Sequence, residues 1–339
     1  MNKIIVHHRS PHHAENSGYG RLIDYVDAEV VYGDTKFPYR LAKFLANRHT
    51  QDRGIFNSSS ILKLIALYRV LKQHKKEHNV VHFLNGERDI RYIGFLKRKF
   101  PKTVFCATFH KPPEVLKKMI TDLNVLKKLD GAICVGANQV AFLKEWLSLE
   151  QVAYIPHGVD TAFFKPNPAL KKKNTLLFVG QHLRDFEMFN RTIPRIAEEI
   201  KDLKVNVVLH PAFASKIVAH PNIEVFTNID DKELLRFYQE ATVLYLPMLN
   251  STACNSLLEA MACGLPIITS DVGGNKEYLR DTNGVLINGR NSQQFILEIK
   301  KILEKLSKEK EMNKVVTKKD LVYEWECIAT KIQDFYKKL

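Results

Sequence analysis

Short β-branched and aliphatic runs alternate along the chain with longer stretches whose apolar positions recur every three to four residues. In the first half, residues 4–8, 80–84, 103–108 and 132–135 read as strands, each near a Gly or Pro boundary. Residues 61–76 predict an amphipathic helix, with Ile61, Leu62, Ile65, Leu67, Tyr68 and Leu71 leaning to one side and lysines behind them. A Pro-spotted, basic segment at 156–173 reads as a linker, after which the alternation restarts. Strands are expected at 175–179, 205–209, 223–226, 243–247 and 266–269, and helices at 255–263 and 293–308. Residues 321–339 carry a helical stripe of Val322, Trp325, Ile328, Ile332 and Tyr336. Strands alternating with helices predict parallel sheets covered on both faces. The pattern occurs twice, which predicts two doubly wound α/β lobes with a ligand crevice at the carboxyl ends of the strands.

Composition agrees and narrows the class. The 339 residues suit about two domains. With 45% hydrophobic and 26% charged residues, the chain is neither disordered nor collagen-like. Five cysteines form no C-x-x-C pair and are expected as buried thiols in a reducing compartment. No apolar run approaches the roughly 20 residues of a membrane span, and the first residues do not resemble a signal peptide, so a cytoplasmic protein is expected.

Charge adds a further expectation. The net charge is +14, and residues 1–155 hold 25 basic and 14 acidic residues, a net +11. An anionic partner of the first half is therefore expected, against the alternative of a solvated basic surface. Residues 115–128 place Lys117, Lys118, Lys127 and Lys128 among Leu116, Met119, Ile120, Leu123 and Leu126. That mixture predicts a helix lying on an anionic membrane surface, or else an ordinary surface helix. The basic residues lack the aromatic interleaving or helix-turn-helix pattern of nucleic-acid binding, so no nucleic-acid partner is expected.

The segment 250–274 carries the richest chemistry. A strand ends near Pro247, a polar loop follows, and a helix begins near Asn255, so free amides and the positive dipole end make an anion site suited to a diphosphate. Glu259 lies one turn further and either accepts hydrogen bonds from a vicinal diol such as ribose or is solvated on a capped helix. His7, His8, His12 and His13 crowd the loop before Gly18. A loop alone supplies neither convergent geometry nor a second shell, so no metal is expected. Gly18 and Gly20 fit close backbone approach to a ligand. Glu87 follows a strand at a Gly turn and either orients an acceptor hydroxyl or pairs with Arg88 or Arg91.

The run Leu258-Glu259-Ala260-Met261-Ala262-Cys263-Gly264-Leu265-Pro266, with Asp271-Val272-Gly273-Gly274, resembles the donor-site motif of retaining glycosyltransferases of family 4. Tyr154 to Asp160 resembles their interdomain segment, Leu177-Phe178-Val179-Gly180 the first strand and turn of their donor lobe, and Thr108-Phe109-His110 their first-lobe histidine loop. Ser17-Gly18-Tyr19-Gly20 resembles their glycine loop, and the Trp325 helix the one that crosses back onto the first lobe. The resemblance implies the two-lobed GT-B fold: an acceptor domain at 1–158, a nucleotide-sugar domain at 159–319, and a returning helix at 320–339. It implies donor contacts from Gly18, Gly20, Gly180, Ser251, Thr252, Asn255, Ser256, Leu257 and Glu259. His110 would touch the donor sugar, the bottom-up alternative being a satisfied structural histidine.

Two departures stand out. Ser251 falls where the family usually has the first of two glutamates, and Gln181 and His182 follow Gly180 where it commonly has an arginine. Arg184 is then the available cation for the diphosphate, unless it pairs with Asp185 or Glu187. The expected activity is metal-independent, retaining glycosyl transfer with His110, Arg184 and Glu259 as the catalytic set. The donor would be a nucleotide-diphosphate sugar, and the acceptor a glycan or lipid-linked sugar met by Glu87. An epimerase and a catalytically silent sugar-nucleotide-binding subunit are the alternatives.

Overall fold

The computed structural model describes residues 1–8, 16–280, 282–308 and 322–339. His12, His13 and most of the Lys-rich stretch before the last helix lie outside the described residues. The chain divides into two compact units.

The first unit takes in the N-terminal strand, Tyr19–His157 and Trp325–Leu339. Its six strands are β1 (Asn2–Val6), β2 (Glu29–Val31), β3 (Asn79–Phe83), β4 (Thr103–Phe109), β5 (Gly131–Cys134) and β6 (Val152–Tyr154). They pair in the order β2-β1-β3-β4-β5-β6, all parallel. Helices α1 (Tyr39–Ala46), α2 (Ser58–Gln73), α3 (Ile93–Lys99), α4 (Pro113–Met119) and α5 (Val140–Leu147) connect or flank them. Asn57 and Ser60 close a capping box at the start of α2, which sets that boundary three residues before the apolar stripe begins.

The second unit comprises residues 16–18 and 158–324 among those described. Its strands are β7 (Thr175–Val179), β8 (Lys204–Val208), β9 (Ile223–Phe226), β10 (Val243–Leu246), β11 (Ile267–Ser270) and β12 (Val285–Ile287). They form a second parallel sheet in the order β12-β11-β10-β7-β8-β9. The helices are α6 (Phe186–Glu199), α7 (Asp231–Glu240), α8 (Asn255–Ala262), α9 (Asn275–Leu279) and α10 (Ser292–Lys308). Strands β7 and β10 are buried throughout, as parallel strands covered on both faces must be. Here β7–β8–β9 runs one way from the centre and β10–β11–β12 the other, so the topological switch lies between β7 and β10.

The last helix, α11 (Trp325–Tyr336), packs on the first unit. Tyr336 Oη bonds His82 Nδ1 at 2.7 Å, and His82 Nε2 bonds Thr108 Oγ1 at 2.7 Å. Burial pushes the His82 pKa down to about 3, so this link between α11 and the sheet stays neutral at any ordinary pH. Cys106, Cys134, Cys254 and Cys263 are buried and Cys327 is exposed.

One expectation is overturned. Residues 115–128 do not form one amphipathic helix: α4 ends at Met119, Ile120 is extended and bridges Arg53, and only Leu126–Lys128 turns again, as a 3₁₀ segment. Leu116, Ile120 and Leu126 are buried in the core, so the apolar half of the proposed membrane face is not available.

Candidate functional site

At the β7/β10 switch the second unit gathers most of the residues marked in the sequence. Gly180 ends β7 with φ +83°, in the left-handed region, and a Cβ there would stand 3.1 Å from Arg184 Nη2. The loop that follows is pinned to the end of β10: Leu183 accepts from the Leu249 amide at 2.9 Å, and the Asp185 amide donates to Pro247 O at 2.9 Å. Leu183 itself has φ +56°, a costly conformation for a residue with a Cβ, and it directly precedes Arg184.

Arg184 is 8% exposed. Its guanidinium donates to Val179 O and His182 O, each at 3.0 Å, and reaches Cys254 Sγ at 3.4 Å, Ser256 Oγ at 3.3 Å and Met248 Sδ at 3.9 Å. All of these partners are neutral, and Arg184 forms no ion pair with a described residue. The two carboxylates beside it in sequence are engaged elsewhere. Asp185 caps α6 by accepting from the Met188 amide and holds Arg290 through two bonds of 2.6 and 2.8 Å. Glu187 pairs with Arg191 and Arg290. The one carboxylate within reach of its charge is the buried Glu259, with which it makes no direct ion pair, and a buried guanidinium without a paired anion is costly.

The anion has a second source of attraction beside it. Helix α8 begins after Cys254 with no side-chain cap, and the amides of Asn255 and Ser256 find no acceptor among the described residues. Leu257 adds neither group: its side chain is fully buried and its amide donates to Cys254 O at 3.0 Å. The loop before α8 is held from behind by Gly273 and Gly274. A Cβ on Gly273 would collide with the Ser251 carbonyl and one on Gly274 with the Thr252 carbonyl, and Gly274 N donates to Ser251 O at 3.2 Å. This is the physical content of the Asp-Val-Gly-Gly motif: two residues without side chains let one backbone lie against another. Ser251 Oγ is buried and has no hydrogen-bond partner among the described residues.

Glu259 is 3% exposed, not solvated. Tyr238 Oη, from α7, donates to its Oε2 at 2.7 Å, and Ser17 Oγ donates to Oε1. Asn255 Nδ2 also reaches Ser17 Oγ, at 3.4 Å. Desolvation pushes the Glu259 carboxyl above the ordinary glutamate range, partly offset by the two hydroxyl donors. Gly18, with φ +91°, is also on this unit. Tyr238 carried no signal in the sequence, because its role depends on how α7 packs against α8. The same holds for Arg290, which braces Asp185 from a loop about a hundred residues away.

On the first unit, Glu87 and His110 are bound together. Glu87 Oε1 accepts the amides of His110 at 2.7 Å and Lys111 at 2.9 Å, while its Oε2 is buried without a hydrogen-bond partner among the described residues. His110 Nε2 lies 2.7 Å from Leu84 O, so Nε2 carries the proton in the neutral ring. Tyr19 packs edge-on against His110 at 4.7 Å. Gly20 lies close under His7, whose ring would be 2.8 Å from a Cβ there. Neither Arg88 nor Arg91 pairs with Glu87: Arg88 lies 3.5 Å from Asp89, and Arg91 donates to the carbonyls of Arg53, Gly54 and Ile90.

The Asp185 geometry gives a stability prediction. Asp185→Ala removes an N-cap and strands a half-exposed Arg290, so it should cost about 1–2 kcal/mol, most of it from the cap. Asp185→Asn should recover most of the loss, read as the denaturant midpoint.

A doubly wound pair of sheets with an open helix N-terminus at a switch point defines a class, and comparison with solved structures supplies its name. The chain has the GT-B glycosyltransferase fold. Over 100% of its length it superimposes on sucrose-phosphate synthase from Thermosynechococcus elongatus (99% of that chain, TM-score 0.70, 17% identity). It likewise superimposes over 100% of both chains on HepE of Anabaena, a structure in complex with UDP and glucose (TM-score 0.69, 12% identity). Residues 173–305, within the second unit, match the family described as Glycosyl transferases group 1. A D-inositol 3-phosphate glycosyltransferase of Geodermatophilus obscurus is 25% identical over 285 residues, 70% of this chain and 62% of that protein. The chain thus spans less than two thirds of that relative's length. Among the described residues no helix is long and apolar enough to cross a membrane.

Proposed function

We propose that the protein is a retaining glycosyltransferase of family 4 that moves a sugar from a nucleotide-diphosphate donor to a glycan or lipid-linked acceptor. One observation carries the reading: a buried guanidinium with only neutral partners stands beside the unfilled first turn of α8. A diphosphate would supply the missing counter-charge, and Arg184 with the Asn255 and Ser256 amides would stabilise it as the leaving group. Departure of the diphosphate leaves an oxocarbenium-like sugar. The leaving phosphate oxygen takes the proton of the attacking hydroxyl. Glu259 holds the ribose diol, and on the first unit Glu87 Oε2, buried and without a hydrogen-bond partner among the described residues, is the acceptor for an incoming hydroxyl once it is uncovered. The UDP- and glucose-bound neighbour fits this class of donor, and the D-inositol 3-phosphate glycosyltransferase fits glycosyl transfer as the reaction.

Incubation with a panel of nucleotide sugars, followed by mass, tests the reading. Donor hydrolysis or transfer is expected for at least one of them, and none bound or cleaved would reject it. Ser251, whose hydroxyl is unpartnered where the family usually has a glutamate, favours one second reading, a sugar-nucleotide-binding protein without turnover. Binding without cleavage would select that reading, and release of free nucleotide without acceptor the epimerase. Because no Asp-x-Asp motif follows any strand and Arg184 supplies the cation, turnover is expected to persist in excess chelator. Loss restored by Mn²⁺ or Mg²⁺ would contradict this.

A further inference from the structure

The surface of the first unit carries a feature that the donor site does not use. Helix α1 buries only Ala42 and Ala46, packed with Phe56 and Ile61, while Tyr39, Leu41 and Phe44 are 62%, 51% and 57% exposed and Leu45 is exposed as well. At 100° per residue, Leu41, Phe44 and Leu45 fall within an arc of about 100°. Arg40 stands about 40° beyond one edge of that arc, and the Arg48 guanidinium lies over the Phe44 ring at 5.0 Å. Residues 36–51 hold four basic side chains and no acidic one, and none of Arg40, Lys43 or Arg48 pairs with a described residue. Ile55 and Tyr92 add exposed apolar surface, with Tyr92 tied to the end of the α1 segment through His49 at 3.2 Å. Every exposed Phe or Tyr among the described residues belongs to this unit.

We propose that the outer face of α1 docks the protein on an anionic lipid bilayer, with Leu41, Phe44 and Leu45 entering the headgroup boundary and Arg40 and Arg48 meeting the lipid phosphates. An apolar arc with Arg40 at its edge and Arg48 over Phe44, neither in an ion pair with a described residue, fits an interface that is oily within and negative outside. A second copy fits poorly, since self-association would press like-charged rims together in a chain of net charge +14. The same charge excess that pointed to residues 115–128 in the sequence is thereby placed on α1. The inference does not rest on the donor reading, because vesicle binding needs no nucleotide.

The test is co-sedimentation of the full chain with vesicles of phosphatidylcholine alone and of phosphatidylcholine with phosphatidylglycerol. Binding is expected only with the anionic lipid and should fall as salt is raised. The surface variants Leu41→Ser/Phe44→Ser and Arg40→Gln/Arg48→Gln should each lower it tenfold or more, and Lys117→Gln/Lys118→Gln should leave it within twofold. Unchanged circular dichroism and nucleotide-diphosphate affinity would show that the variants are folded. No binding by the wild type, equal binding to both vesicles, or full binding by the apolar variant would overturn the proposal. So would a concentration-dependent dimer abolished by Leu41→Ser/Phe44→Ser, which would assign the face to a second copy. Failure of the donor reading alone would appear as absent nucleotide binding with the vesicle results intact.

Discussion

Arg184→Gln is expected to lower transfer about 10²–10³-fold, or about 2.7–4 kcal/mol of transition-state stabilisation, while leaving the melting temperature unchanged or slightly higher. The two halves of that expectation have one origin. Arg184 is buried among carbonyls, sulfurs and a hydroxyl, so its charge is desolvated with no directly paired carboxylate, only the more distant attraction of Glu259. Removing it breaks no ion pair, because Asp185 and Glu187 are already paired with Arg290, and Glu259, held by Tyr238 and Ser17, loses only a longer-range attraction. The guanidinium is thus a cost to the free protein that, in the proposed reading, a bound diphosphate would offset. The wild type should therefore gain thermal stability from pyrophosphate or a nucleoside diphosphate, and Arg184→Gln should gain little. A variant that melts well below the wild type, or that keeps full turnover, would show that Arg184 serves the fold and not the leaving group.

The sequence made legible what local pattern determines. Strands Thr175–Val179 and Ile223–Phe226 appear at their expected limits, because each is an apolar run closed by turn residues. It did not show β2, β6 and β12, each a three-residue strand at a sheet edge, where only pairing with a neighbour distinguishes a strand from a loop. In the same way, the run from Leu258 to Pro266 marked the α8 segment, and Gly264 ends that helix with φ +63°. What surrounds it, Tyr238 on Glu259 and Arg290 on Asp185, depends on contacts between distant elements and left no periodic trace. Residues 115–128 mislead for the opposite reason: a basic, apolar composition fits a surface helix, but Ile120 is drawn into pairing with Arg53 and the helix stops. Composition reports that a charged apolar face exists in this half; only tertiary packing decides which segment presents it.

Glu259→Gln should weaken nucleotide binding by about 1.5–3 kcal/mol, the scale of hydrogen bonds to a charged group. Glutamine is the informative change. Glu259→Ala would also strip the buried Tyr238 hydroxyl of its partner and cost stability by about 1–3 kcal/mol, confusing a binding defect with a folding one. The carboxylate has one oxygen committed to Tyr238 and one to Ser17, so in the proposed reading a ribose hydroxyl would enter by taking the place of the Ser17 hydroxyl on Oε1. This exchange is favourable only to the ionised form, and burial has raised the Glu259 pKa above its usual value. Two opposite pH trends follow. Affinity for the nucleotide should fall on acidification, starting at a higher pH than an ordinary glutamate would set. The contribution of Glu259 to stability has the reverse sign. With a raised pKa the folded state binds more protons than the unfolded state, so that contribution is fully present below the unfolded value and lost as pH rises through the folded one. Calorimetric titration of a nucleoside diphosphate across this window, with denaturant unfolding at the same pH values, reads both trends. In Glu259→Gln both should flatten. If the variant keeps wild-type affinity and the wild-type pH slope, another group holds the ribose and Glu259 only anchors Tyr238.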